Sequence, residues 1–145
     1  MHLMIGLGPI GGNIGANLAE RGQSVYGYDF NLERNREWSE ETQSPSGNDL
    51  AVIDWASVES VHIAVRLADQ VLSVFDALKQ HTDQALTVFV HTTLSPNDAK
   101  RIFAAAPTHW RTFEAPVSGG PKGARQGSMT IFLSGPQQTD VEDKI

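Results

Sequence analysis

The chain of 145 residues contains no cysteine, which excludes disulfides, thiol catalysis and cysteine-ligated zinc. Basic residues are few, with 11 lysines and arginines against 17 acidic residues and a net charge of −6. Proteins that bind nucleic acid usually carry a basic face, so this balance argues against such a partner. No apolar run reaches the roughly 18 residues of a membrane-spanning helix. We therefore expect a cytoplasmic protein with no nucleic-acid or membrane partner, folded as a single domain over residues 1–145.

Short apolar runs alternate with amphipathic segments along the chain. The runs predict strands at residues 2–8, 24–29, 60–66, 85–93, 111–119 and 128–135. Helical spacing or helix-prone composition predicts helices after Pro9, over residues 31–41, around Phe75 and from Ser95 to Pro107. Gly22 is predicted to cap the first helix, and residues 44–49 are predicted to form a loop. This alternation is typical of βαβ units, and it predicts an α/β fold with a mainly parallel sheet.

The stretch IGLGPIGGNIGANL places Gly6, Gly8 and Gly11 between the first strand and the first helix. In this context the spacing predicts a tight turn at Gly6, close approach of a pyrophosphate at Gly8, and close packing of helix and strand at Gly11. The N-terminus of the helix then attracts the phosphates. We expect a Rossmann-type, doubly wound sheet with helices on both faces, which binds a dinucleotide.

Asp29 ends the second predicted strand, where an acid can hold the hydroxyls of a ribose. Its carboxylate would repel a 2′-phosphate, so NAD is favoured, while the nearby Arg34 leaves NADP possible. The alternative is that the glycines form a structural turn and that Asp29 is merely a strand-end acid.

A second glycine-rich stretch, EAPVSGGPKGARQG, covers residues 114–127. Adjacent backbone N–H groups of Gly119 and Gly120, with the hydroxyl of Ser118, suit an anion such as a carboxylate. An ordinary β-turn leading to the last strand is an equal alternative from the residues alone. Near the end of the sequence, Thr139 and Glu142 have the spacing of a capping box, which predicts the start of a helix.

IGLGPIGGNIGANL, HTTLSP and EAPVSGGPKGARQGSMTIFLSG together resemble the β-hydroxyacid dehydrogenase family, which includes enzymes of the 3-hydroxyisobutyrate and 6-phosphogluconate dehydrogenase type. The resemblance extends over nearly the whole chain and implies the N-terminal NAD(P)-binding domain. It implies that a first group of residues contacts the dinucleotide: Leu7, Gly8, Pro9, Ile10, Asp29 and Phe30. It further places Val65, Arg66 and Leu67 beside the adenosine half, Thr93 near the nicotinamide ribose, and Ser118, Gly119 and Gly120 on the carboxylate of the substrate.

The sequence also departs from that family. Arg66 stands where a small or apolar residue is common, and His91 stands where the family usually has an acid. A histidine there either titrates near neutrality or, as we expect, packs half-buried against Thr92. The histidines show no metal spacing, so no metal site is predicted.

Two parts of the family pattern are absent. The family's proton-transferring lysine lies on a later helix, and neither Lys122 nor Lys144 matches its motif. We therefore assign no catalytic residue. We also expect that these 145 residues do not include the helical C-terminal domain of the family. An apolar face left without that domain would favour self-association.

The resemblance implies an oxidoreductase that transfers a hydride between NAD, or NADP, and a small β-hydroxy acid or semialdehyde, and we expect this chain alone to be inactive. Two alternatives stay open: a non-catalytic NAD(P)-binding module, and an enzyme similar to imine reductases.

Overall fold

The computed structural model describes residues 1–136; the predicted capping box of Thr139 and Glu142 lies outside the described residues. In chain order the strands are β1 (His2–Ile5), β2 (Val25–Tyr28), β3 (Ser46–Gly47), β4 (Ser60–Ile63), β5 (Thr87–Val90), β6 (Arg111–Glu114), β7 (Val117–Ser118) and β8 (Thr130–Ile131). The helices are α1 (Gly11–Glu20), α2 (Leu32–Thr42), α3 (Ala68–His81), α4 (Pro96–Ala105) and α5 (Gly120–Gln126). None of the helices in the described range is long and apolar enough to cross a membrane.

Six strands form one sheet in the order β3-β2-β1-β4-β5-β6. Every neighbouring pair in this sheet is parallel. The chain moves outward in one direction from β1 to β3 and then in the other from β4 to β6. Such a reversal opens a crevice at the carboxyl ends of the central strands, which is where ligands bind in doubly wound sheets. The predicted Rossmann-type architecture is confirmed.

Side chains alternate between the two faces of the sheet, and each face has its own core. On one face Leu3, Ile5 and Ile63 pack with Phe75 of α3 and Ile102 of α4. The opposite face has two further clusters: one with Met4, Ile14 of α1, Trp38 of α2 and Ala124 of α5, and one built around Phe89 and Phe113. A strand buried on both sides needs apolar residues in near-continuous runs, which explains the composition of β1 and β5. The prediction of helices on both faces is therefore confirmed.

Helix α1 begins at Gly11, two residues later than the proline signal predicts, with Ile10 as its N-cap. Its end is as predicted: Gly22 takes a positive φ of 80° just after the C-cap residue Arg21. The N–H of Gly22 bonds to Ala19 O, and that of Gln23 bonds to Leu18 O. These two bonds form a Schellman motif, which satisfies carbonyls that the helix leaves unpaired.

The prediction of one continuous strand over residues 111–119 is wrong. Pro116 separates β6 from β7, and a proline has no N–H to continue a ladder. β6 stays in the large sheet, whereas β7 pairs antiparallel with β8. The predicted strand over 128–135 is correspondingly short, and the predicted loop at 44–49 contains the two-residue strand β3. The break at Pro116 turns the chain across the end of the sheet, next to the crevice.

Candidate functional site

A cleft with a volume of about 830 Å³ lies at the carboxyl ends of the central strands. That volume is within the range typical of sites for small molecules and cofactors. Predicted site residues that line it come from five separate segments: Gly6, Gly8, Pro9, Ile10, Asp29, Phe30, Val65, Arg66, Thr93 and Gly120. The fold therefore brings both glycine-rich stretches of the sequence to one cleft.

The turn between β1 and α1 is a cradle whose shape depends on glycine. Gly6 has a φ of 94°, and a Cβ there would lie 2.4 Å from Ala64 O. A Cβ on Gly11 would lie 2.0 Å from Gly6 O, so a side chain at either position would collide with backbone. A Cβ on Gly8, by contrast, would meet no protein atom within 4 Å. Gly8 therefore faces open space in the cleft, which suits a ligand close to the backbone, as the fingerprint requires.

Asp29, directly after β2, is held by the cradle itself. Its Oδ2 accepts the N–H of Leu7 at 2.9 Å, and its Oδ1 accepts the N–H of Asn31 at 2.9 Å. Arg34 Nη1 lies 3.7 Å from Oδ2. Since a carboxylate oxygen has a second lone pair, both oxygens can still accept a hydroxyl proton from a ligand. Leu7 does not line the cleft; it is buried and takes part through its backbone.

The segment after β4 forms the adjoining wall. Gln70 Oε1 accepts the N–H groups of both Arg66 and Leu67, each at 3.0 Å, and so holds this segment on the first turn of α3. Arg66 is exposed and lines the cleft, whereas Leu67 is 63% exposed and does not line it. Phe30, on the opposite wall, is 75% exposed. Exposed aromatic and guanidinium planes of this kind suit stacking on a flat ring system.

The other end of the cleft is formed by the segment after β5 and by the turn after β7. Thr92 is buried, and its Oγ1 donates to Val65 O at 2.7 Å, which leaves the neighbouring Thr93 exposed to the cleft. In the turn, Gly119 and Gly120 have φ values of 131° and 64°. Ser118 and Gly119 are exposed but do not line the cleft, and Gly120 does.

His91 differs from the half-buried side chain that the sequence predicts, because only 4% of it is exposed. Its Nδ1 lies 2.8 Å from Ala115 O and its Nε2 lies 3.0 Å from His62 Nδ1. Burial lowers the pKa of His91 to about 4, so the ring is neutral near pH 7. Although it lines the cleft, no ring nitrogen is left to accept a proton from a ligand.

Sequence reasoning missed several residues that line the cleft. They share positions next to the ends of the strands or on the first turns of α3, and they are Ile5, Tyr28, Ala64, Gln70, Ser73, Val74, Thr92 and Val117. The usable signal was positional, since ligands bind at the carboxyl ends of parallel strands. No group of three or more histidine and acidic side chains in residues 1–136 is arranged to hold a metal.

Comparison with known proteins gives sequence relatives that are named as dehydrogenases. The chain is 29% identical over 138 residues to 3-hydroxyisobutyrate dehydrogenase of Pseudomonas aeruginosa, which covers 92% of this chain and 46% of that protein. It is 28% identical to the NAD-dependent L-serine dehydrogenase of the same organism, covering 90% of this chain and 45% of that one. The structure of Mycobacterium tuberculosis 3-hydroxyisobutyrate dehydrogenase with L-serine shares the fold, with a TM-score of 0.84 and 24% identity. The match covers 95% of this chain and 47% of that one.

The chain thus spans about half the length of the relatives that it matches. The sequence profile of the NAD binding domain of 6-phosphogluconate dehydrogenase matches residues 3–143. That match includes the glycine cradle, Asp29 and the turn after β7. The chain therefore belongs to the family of NAD binding domains described for 6-phosphogluconate dehydrogenase.

Proposed function

We propose that this chain is the cofactor-binding part of an oxidoreductase that transfers a hydride between NAD(P) and a small β-hydroxy acid or semialdehyde. The observation that carries the proposal is that one cleft connects the cradle at Gly6–Gly11 with the turn at Val117–Gly120. A dinucleotide and a small acid bound there would be neighbours. The substrate class is further supported by the relatives named 3-hydroxyisobutyrate and L-serine dehydrogenase.

The cofactor end of the cleft fits NAD. Gly8 leaves room for a pyrophosphate, and no side chain caps the N-terminus of α1, whose partial positive charge favours phosphate. We propose that Asp29 accepts the ribose hydroxyls and disfavours a 2′-phosphate, so that NAD binds more tightly than NADP. Val65, Arg66, Leu67 and Phe30 are the proposed adenosine contacts. When bound, the nicotinamide supplies the hydride acceptor or donor.

At the other end, Ser118, Gly119 and Gly120 are the proposed contacts of the substrate carboxylate, with Thr93 beside the nicotinamide ribose. The positive φ values of both glycines turn successive backbone N–H groups, and such turns form concave anion sites. The charged groups lining the cleft are Asp29, Arg34 and Arg66. Two arginines against one carboxylate give the cleft a net positive charge in an acidic chain.

The proton that accompanies hydride transfer is the part of the reaction that the described residues do not supply. No lysine of residues 1–136 lines the cleft, and both nitrogens of His91 are engaged. A general base needs to be within hydrogen-bond reach of the reacting hydroxyl. We therefore propose that these 145 residues bind NADH without oxidising hydroxy acids.

The test is a fluorescence titration of the chain with NADH and with NADPH, followed by an assay of NAD reduction with 3-hydroxyisobutyrate and L-serine. We expect saturable binding in the micromolar range, tighter for NADH, and no turnover. Turnover at a rate typical of a dehydrogenase would overturn the proposal that these residues lack the group that transfers the proton. Absence of binding for both cofactors would overturn the proposed function.

Assays of the full-length gene product separate the alternatives. A non-catalytic NAD(P)-binding module would bind the cofactor but leave a longer gene product inactive on every hydroxy acid, whereas an enzyme of the imine-reductase kind would reduce imines with NADPH. The cytoplasm is the proposed location. Self-association is a further proposal, and light scattering at two protein concentrations tests it.

A further inference from the structure

A line of buried polar side chains crosses the sheet from β1 to the end of β6. His2 Nδ1 lies 2.8 Å from Ser60 Oγ, and Ser60 Oγ lies 2.8 Å from His62 Nε2. His62 Nδ1 lies 3.0 Å from His91 Nε2, and His91 Nδ1 lies 2.8 Å from Ala115 O. All four side chains belong to residues no more than 6% exposed. We call His2, Ser60, His62 and His91 the histidine chain.

The carbonyl at its end fixes the direction of every bond in the histidine chain. A carbonyl only accepts, so His91 Nδ1 carries the proton and His91 Nε2 accepts. His62 Nδ1 must then donate to His91, and His62 Nε2 accepts the hydroxyl proton of Ser60. Ser60 Oγ in turn accepts from His2 Nδ1. His62 and His91 are therefore Nδ1–H tautomers, His2 donates from its Nδ1, and the whole line donates toward Ala115.

Both central rings are neutral, as this arrangement requires. Burial, with smaller contributions from His91 and His2, lowers the pKa of His62 well below its ordinary value. The ring of His62 lies nearly parallel to the hydrogen-bonded ring of His91, with 8° between their planes and 5.3 Å between their centroids, and it packs on Phe89 at 5.1 Å. Both contacts restrict rotation of the ring. A buried polar network in which every member is satisfied rigidifies the backbone to which it bonds.

Ala115 is the last residue before the chain leaves the large sheet. Its N–H bonds to Val90 O at 2.8 Å, and its carbonyl accepts from His91, so its two flanking peptides are each anchored. Pro116 follows, and its carbonyl accepts the N–H of Phe132 at 3.0 Å. The turn at Val117–Gly120 starts directly from this corner.

We infer that His62 and His91 are positioning residues for the turn at Val117–Gly120, acting through the carbonyl of Ala115. The inference rests on the proposed function, in which this turn holds the carboxylate of the substrate. His91 lines the cleft, yet its nitrogens point along the sheet and not into the ligand space. Its contribution is therefore the orientation of the Ala115–Pro116 peptide.

The tautomers give the first test. Nitrogen NMR of the isotope-labelled 145-residue chain near pH 7.5 distinguishes Nδ1–H from Nε2–H in each histidine. We expect the Nδ1–H tautomer for His62 and for His91. An Nε2–H tautomer at His62 or His91 would break the line of donors and overturn the inference.

Variants at His91 give the second test, which measures hydrogen exchange at backbone amides. The exchange ratio is the exchange rate at the amides of Ala115 and Phe132 divided by the rate at the amide of Gly6. H91N keeps a donor near Nδ1, and H91F keeps an aromatic ring but donates nothing. We expect H91F to raise the exchange ratio about tenfold, since the loss of a buried bond favours local opening. H91N should restore most of the protection. The control I102V, in the core on the other sheet face, should leave the ratio unchanged.

Equal ratios in H91F, H91N and the wild type would contradict the positioning role. Should H91F fail to fold, H62F interrupts the histidine chain one step earlier and is expected to raise the same ratio. An NADH titration of the wild-type chain is run in parallel. A failure to bind NADH would refute the proposed function, whereas the tautomers and exchange ratios decide on the histidine chain independently.

Discussion

Replacing Gly8 by alanine separates ligand binding from folding at the cradle. A Cβ on Gly8 meets no protein atom within 4 Å, and the φ of Gly8 is not positive. The folded protein therefore accommodates the methyl group, and the reduced entropy of the unfolded chain stabilises it by about 0.4–1 kcal/mol. The same methyl group occupies the space through which a pyrophosphate approaches the backbone.

The expected loss of NADH affinity follows from the hydrogen bonds between the cradle and the pyrophosphate, which the added methyl group lengthens. A hydrogen bond to a charged group contributes about 1.5–3 kcal/mol. Losing one such bond to the pyrophosphate weakens binding about 10- to 100-fold. Fluorescence titration with NADH measures this, while thermal unfolding of G8A should show a midpoint equal to or slightly above that of the wild type.

The matched variant is G11A, in the same turn. Its Cβ would lie 2.0 Å from Gly6 O and 2.8 Å from Ala64 Cβ, so backbone must move by more than 1 Å to reach a normal ~3.3 Å contact. Overpacking of this kind costs about 3 kcal/mol, which lowers Tm by about 6–12 °C. NADH affinity of wild-type strength in G8A, or a Tm loss in G8A as large as in G11A, would refute the assignment of Gly8 to the ligand.

Three further predictions concern charge and pH. D29N should lower the ratio of NADH to NADPH affinity about tenfold, because the charge that repels a 2′-phosphate is gone; an unchanged ratio in paired titrations would contradict this. The folded pKa of His91, about 4, lies below its ordinary 6.5. The unfolded chain thus binds the proton more tightly, and the contribution of His91, complete above pH 6.5, falls by about 1.4 kcal/mol per pH unit toward pH 4. Urea unfolding at pH 7.5, 6 and 5 should show this loss, and H91F should reduce it. R125A removes contacts to Glu20 (2.6 Å) and Glu41 (2.8 Å) that join α5 to α1 and α2; we expect a loss of about 1 kcal/mol that shrinks in high salt.

Much of the fold follows from local patterns in the sequence. The spacing of apolar residues predicts most of the strands, and the position of Gly22 predicts the end of α1. Both features depend on residues that are close together in the chain. The spacing of Gly6, Gly8 and Gly11 likewise predicts the cradle, since the steric demands of that turn are local. The predicted start of α1 is two residues too early, because a proline is tolerated in the preceding turn as well as at the first position of a helix.

The remaining features depend on which strands are neighbours. Pro116 was visible in the sequence, but only the pairing of β7 with β8 shows that the chain leaves the sheet there. Ser60 and His62 have the period-two spacing of side chains on one face of a strand. Their bonds to His2 and His91 require the order β1-β4-β5, which no local pattern contains. A buried histidine also has no compositional mark that distinguishes it from an exposed one.

A map of backbone amide shifts on titration with NADH tests the central claim most directly. The account predicts that saturating NADH shifts the amides of Gly6, Gly8 and Ile10 in the cradle, of Phe30 after β2, and of Gly120 at the far end of the cleft. The amide shifts of α4, which lies outside the cleft, should not change. Two results would contradict the account: saturable shifts confined to other surfaces, or no shifts at about 1 mM NADH. At that concentration only binding weaker than about −4 kcal/mol would go undetected.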